Sequence, residues 1–208
     1  MSRVTIESVA ASDFNLSNLL KPEETLLWTG QPEHGLRFFQ PIGAERIYLA
    51  SMAAGTVVLW VAVPLIISGG SHNPVAAAAI LLFAAMAFVV VAFVNAAQRQ
   101  FVLSRSVYMV TTHRAIVCRR GRNWRFSDQV FIISNPHSKT YPYVLHATRP
   151  YPSLRIGTLI DQSELQPTGL GLSHPGQPAS WGHIRVPVAF EQISEADIVL
   201  NLILSKAE

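Results

Sequence analysis

From Ile47 to Gln98 the chain carries no Asp, Glu, Lys or Arg. No other feature restricts the fold as much, because such a stretch has no charged face to turn toward water. It contains two apolar pieces, IYLASMAAGTVVLWVAVPLIIS and PVAAAAILLFAAMAFVVVAFVNAA. A helix rising about 1.5 Å per residue crosses a hydrocarbon core of about 30 Å with roughly 20 apolar residues, and each piece reaches that length. Helices apolar on every side would otherwise need a large protein around them, and a chain of 208 residues offers little cover. The reading is two transmembrane helices, spanning about 47–68 and 74–97 within a hairpin of residues 46–98. The first run starts far from Met1, after acidic and Pro-containing sequence, which excludes a signal peptide.

The connection GGSHNP, Gly69 to Pro74, is too short to hold a domain. The helices are therefore expected to lie antiparallel, with both chain ends on one side. Arg37 and Arg46 precede the hairpin, Arg99, Arg105, Arg114, Arg119 and Arg120 follow it, and the connection has no Lys or Arg. The positive-inside bias then places the N- and C-terminal parts in the cytoplasm. Trp60 falls inside the first span, Pro64 is a candidate kink, and Gly55 and Ala76 to Ala79 offer small surfaces for close helix approach.

Charged residues make up 14% of the chain, against roughly 25% in soluble domains. The net charge of +3 and isoelectric point near 9.3 are only mildly basic, and no element concentrates Lys and Arg as a nucleic-acid binder does. The single cysteine, Cys118, excludes an intrachain disulfide, a Cys-based zinc knuckle and a CxxC redox pair.

Outside the hairpin the period of the pattern becomes two. Residues 1–45 read as a cytoplasmic N-terminal segment, with Met1 to Ser17 a loosely held tail and a strand around Leu26 to Thr29 closed by a Gly-Gln-Pro turn. In VYMVTTHRAIVCRR, Val107, Met109 and Thr111 alternate with Tyr108 and Val110, and Ile116 and Cys118 with Ala115 and Val117. That pattern is a β-hairpin turning near Thr112 and His113. A second turn at GRN leads to WRFSDQVFIIS, and YVLHATRP, SLRIGTLI and IRVPVAF supply further strands. The stretch from Pro167 to Gly182, PTGLGLSHPGQPASWG, reads as a long surface loop. The ending is helical, with Ser194 as cap, Asp197 in the reciprocal capping position, Ile193 stapled to Ile198, and Ile198, Val199, Leu202 and Ile203 on one apolar face. Tyr108, Trp28, Phe190 and Leu202 are the expected core residues. The fold class is an α+β membrane protein: a transmembrane helical hairpin, then residues 99–208 as an antiparallel barrel or sandwich capped by a C-terminal helix.

No catalytic or cofactor-binding arrangement is readable. His34, His72, His113, His137, His146, His174 and His183 show neither HxxxH nor HExxH spacing, so no metal site is expected. Cys118 reads as a core thiol, and His113 has no carboxylate partner close in sequence. GLGLSHPG lacks the Gly-Lys-Ser/Thr of a phosphate cradle, and Glu195 and Asp197 suit a helix N-terminus better than acid–base work. The strongest polar feature is the basic cluster Arg114, Arg119, Arg120 and Arg122, joined by Arg125. Two readings stay open for it: contact with anionic lipid headgroups, at about 1 kcal/mol per residue, or enforcement of topology alone.

The segment YMVTTHRAIV resembles the Tyr-x-Leu-Thr-Asn-x-Arg-x-Ile signature of bacterial pleckstrin-homology-like (PH-like) membrane proteins, with Tyr108, Val110, Thr111, Arg114 and Ile116 at the matching places. EETLLWTGQP is similar to the segment that precedes the membrane hairpin in that family, and VAFEQISEADIVLNLI to its last strand and helix. Thr112 departs from the usual turn Asn. The resemblance implies a seven-stranded PH-like barrel-like sandwich closed by a helix in a bacterial inner membrane, and a non-enzymatic binding or scaffolding module. The expected partners are the lipid bilayer, anionic headgroups, further copies of the chain or another membrane protein, and not nucleic acid. The alternative expectation is an accessory subunit of a membrane transport or export complex.

Overall fold

A computed structural model describes residues 5–10, 19–43, 45–69, 73–122, 128–159 and 186–207. Helix α1, Glu45–Ser68, and helix α2, Pro74–Leu103, pack along one another as a hairpin. Both are long and apolar enough to cross a membrane, with mean hydropathies of 2.1 and 2.9. Their starts are fixed locally. Glu45 reaches back to accept the Ile42 N–H at 3.1 Å, as the acidic partner of a capping box does. Asn73 accepts the Ala76 N–H at 3.2 Å, and Pro74 follows at the position where a missing N–H costs nothing. The helices approach closely at Gly55, where a Cβ would lie 2.9 Å from the Phe88 ring. Ala78, Ala85 and Ala96 are buried on α2, so small residues line the contact.

The β-structure draws on sequence from both sides of the helices. Strands β1 (Thr5–Ala10) and β2 (Leu26–Gly30) precede them; β3 (Ser106–Thr111), β4 (Arg114–Arg122) and β5 (Asp128–Pro136) follow. Together they form one antiparallel sheet in the order β1-β5-β4-β3-β2. A second antiparallel sheet runs β6 (Val144–His146), β7 (Ser153–Leu159) and β8 (Val186–Phe190). Helix α3, Ala196–Lys206, ends the chain. The expected N-terminal tail is thus partly an edge strand, with Ile6 opposite Ile133 and Val9 opposite Val130. The described residues form eight strands in two sheets rather than seven.

The period of two decides which face each side chain takes. Tyr108, Val110, Ala115, Val117, Phe131 and Ile133 point to a core shared with Leu154, Ile156, Val188 and Phe190 of the smaller sheet and with Ala196, Val199 and Ile203 of α3. Tyr108 stacks on Phe190 at 5.0 Å between ring centroids, and Trp28 lies 5.8 Å from Phe190. The other face of the large sheet gathers Met109, Ile116, Cys118, Val130 and Ile132, with Leu19 and Val107 against it. Of the four expected core residues, Tyr108 and Phe190 are buried, while Trp28 and Leu202 are half-buried at the edge of the same core.

The hairpin turn falls at Thr112 and His113, with Val110 opposite Ala115. Thr111 Oγ1 accepts the N–H groups of His113 and Arg114 and donates to the Arg114 carbonyl, so a threonine side chain stabilises the turn. The start of α3 corrects the sequence reading. Glu195 is the N-cap and makes no side-chain capping bond; Ser194 instead gives its N–H and its hydroxyl to the Glu33 carboxylate. Ile198 is 64% exposed, so the buried stripe of α3 is Ala196, Val199 and Ile203. The second turn at 123–127 and the loop at 167–182 lie outside the described residues.

Candidate functional site

The most organised polar chemistry is a set of three arginine–carboxylate pairs, the first of which lies where the helices meet the sheets. Arg99, in the last turns of α2, is 6% exposed, and its Nε lies 2.7 Å from Glu45 at the start of α1. Its remaining donors take the carbonyls of Gly35 at 2.7 Å, Arg37 at 3.0 Å and Phe38 at 2.7 Å. One guanidinium thus ties together both helix ends and the loop leading into α1. The planar fork of arginine suits this role, since its donors diverge in one plane.

Gly35 shows how tightly that loop is drawn in. Its φ is +83°, and a Cβ there would come within 2.4 Å of Ile42 and 2.7 Å of Leu103. Beyond it, residues 37–40 close a turn from both ends: the Gln40 N–H donates to the Arg37 carbonyl, and the Arg37 N–H to Gln40 Oε1. Phe38 and Phe39 stand at its tip. Phe38 packs 5.0 Å from Phe93 of α2, and Phe39 is 90% exposed.

The second pair joins Arg114, at the start of β4, to Glu24 ahead of β2, at 2.9 Å, and Arg114 also donates to the Leu19 carbonyl. Burial of Glu24 would raise its pKa, but hydrogen bonds from Arg114 and the Lys21 N–H outweigh burial and hold it below the usual carboxylate value. The third pair lies in the main core: Arg119 and Glu191 meet at 2.9 Å with side-chain exposures of 2% and 6%. Burial raises the Glu191 pKa, and the Arg119 charge opposes that rise. Arg119 continues the face of β4 that carries Ala115 and Val117, so strand geometry sends it inward.

These placements divide the expected headgroup cluster. Arg114 is occupied by Glu24 and Leu19, and Arg119 faces the core rather than the surface. Arg120 and Arg122 belong to β4, but their side chains lie outside the described residues, as does Arg125. The exposed guanidiniums nearest the helix ends are Arg37, Arg46 and Arg105, the last lying 4.2 Å over the Phe101 ring. Sequence reading placed these three by the membrane but had no signal for the turn they surround. The Glu45–Arg99 pair did leave one: opposite charges bracket the uncharged run.

The other candidate chemistry is structural in placement. Cys118 is 2% exposed, and burial pushes its pKa up to about 12, which removes the thiolate a nucleophile needs. His113 is exposed at the turn tip with its ring against Thr112 Oγ1. His137 is half-buried, bonded through Nε2 to the Thr111 carbonyl, and burial lowers its pKa. Among the described residues, no three His, Cys, Asp or Glu side chains gather as a metal-binding group. His72, His174 and His183 lie outside them. No family model, curated protein or solved structure matches the chain.

Proposed function

We propose that this protein is a membrane-anchored, PH-like binding and scaffolding module with no catalytic role. Its helical hairpin crosses a bacterial inner membrane, and its termini and β-domain are cytoplasmic. The observation that carries this reading is the union of anchor and domain. β2 enters the hairpin, β3 leaves it, and the two strands pair with Thr29 opposite Met109. Arg99 then binds both helix ends to the intervening loop. A domain joined to its anchor by two paired strands and a buried guanidinium is held in a fixed pose over the membrane, which suits display of a surface to partners. The basic residues flanking the uncharged run support the cytoplasmic orientation.

A second reading, an accessory subunit of a transport or export complex, draws support from a shallow apolar groove on α1 lined by Thr56, Val57, Trp60, Val61 and Pro64. Blue-native electrophoresis after mild solubilisation separates the two. A homogeneous self-assembly is expected for the scaffold. Quantitative co-migration with a different multi-span protein would replace the first reading with the second.

A further inference from the structure

The turn at residues 37–40 has several of its backbone groups bonded within the protein. The carbonyls of Gly35, Arg37 and Phe38 are taken by Arg99, the Arg37 carbonyl also accepts the Gln40 N–H, and the Arg37 N–H is taken by Gln40. Each such bond lowers the cost of bringing these groups toward an apolar phase. Yet this turn presents a phenylalanine that is 90% exposed, with a second aromatic ring 5.2 Å away.

Its height along α2 explains the combination. Phe38 packs on Phe93, which precedes Arg99 by six positions. At a rise of about 1.5 Å per residue, Phe93 lies about 9 Å from Arg99 toward the middle of the helix. The aromatic tip therefore sits alongside the uncharged stretch of α2 rather than beyond its charged end. Around it, Arg37 and Arg46 are exposed, Arg46 with its Nε donating to the Pro41 carbonyl at 3.2 Å, and the neighbouring carboxylate, Glu45, is buried against Arg99.

We propose that residues 37–40 form a lipid-binding foot: Phe38 and Phe39 enter the boundary between headgroups and acyl chains, and Arg37 and Arg46 bind the phosphates of anionic lipids there. The inference rests on the membrane-crossing reading of the hairpin. Lipid is favoured over a protein partner by the depth of the tip beside the uncharged stretch of α2 and by its positive rim. Aromatic rings at the headgroup level with cationic groups beside them are the pairing that membrane interfaces select.

The test uses the full chain in vesicles of phosphatidylcholine and phosphatidylglycerol. Because Cys118 is buried, Phe39→Cys and, separately, Val58→Cys can each carry a single nitroxide label. At position 39, oxygen is expected to relax the label more than a water-soluble nickel chelate does, at a shallower depth than at position 58. A label at 58 open to nickel would sink the membrane-crossing reading itself. A label at 58 in lipid with one at 39 open to nickel overturns the foot alone. Protection at 39 from both reagents also overturns it, because the turn would then be covered by protein. Unlabelled Arg37→Gln/Arg46→Gln should lose about tenfold in preference for phosphatidylglycerol over phosphatidylcholine. An unchanged preference would remove the headgroup contact.

Discussion

Arg119 occupies a position that strand alternation reserves for an apolar side chain, and Glu191 is what makes it tolerable there. Removing one member of a buried pair strands the other charge, so Arg119→Ala is expected to destabilise the domain by about 3–5 kcal/mol. Arg119→Met with Glu191→Leu should recover most of that loss; urea denaturation in a mild detergent would compare them, and a double variant no better than the single would deny the coupling. His137 gives a pH signature. Its folded pKa is lowered, so the unfolded chain binds the extra proton first, and His137 contributes stability above the ordinary histidine value near 6.5 that is lost as pH falls below it. Thermal midpoints should therefore fall between about pH 6.5 and 5.5, and His137→Gln should flatten that slope. His34, lowered chiefly by burial and then by Arg46 and Arg99, leaves a residual slope of the same sign. At this scale the sequence was only partly legible. The inward side of Arg119 follows from period two, but its partner is seventy-two positions away, and nothing local reveals it.

Among elements, the strands were legible because alternation records burial directly: β3 and β4 follow the expected alternation from Val107 to Cys118. The start of α3 was not. Ser194 and Asp197 have the spacing of a capping box, but tertiary bonding overrides it, since Glu33 takes Ser194 and the Trp28 indole N–H donates to Glu195 at 2.9 Å. Strand β1 was missed because pairing with β5, not its own propensity, defines it. The loop into α1 depends on Gly35, whose positive φ and close contacts both resist a side chain. Gly35→Ala should therefore lower the thermal midpoint by several degrees and expose the junction. Limited proteolysis between residues 31 and 43 would show it; an unchanged digestion pattern would mean that the loop adapts.

For the whole molecule, the uncharged run was legible because apolar length is additive along the chain, whereas the union of its two flanks was not, because strand partners are chosen in space. The sequence suggested that residues 99–208 form a domain by themselves; the large sheet also needs β1 and β2. A fragment beginning at Gln98 leaves the outer edges of β3 and β5 unpaired, and open edges invite association. It should aggregate on size-exclusion chromatography, and co-expression with residues 1–43 should restore a discrete species. A monodisperse fragment would show that the outer strands are dispensable. The pairing of β2 with β3 also sets an order of events during synthesis. Residues 31–105 lie between these neighbours, so β2 emerges from the ribosome, waits while both helices are made, and finds its partner only once the chain has come back. In the proposed membrane setting the β2–β3 ladder closes after insertion, and its closure reports that the hairpin has been threaded.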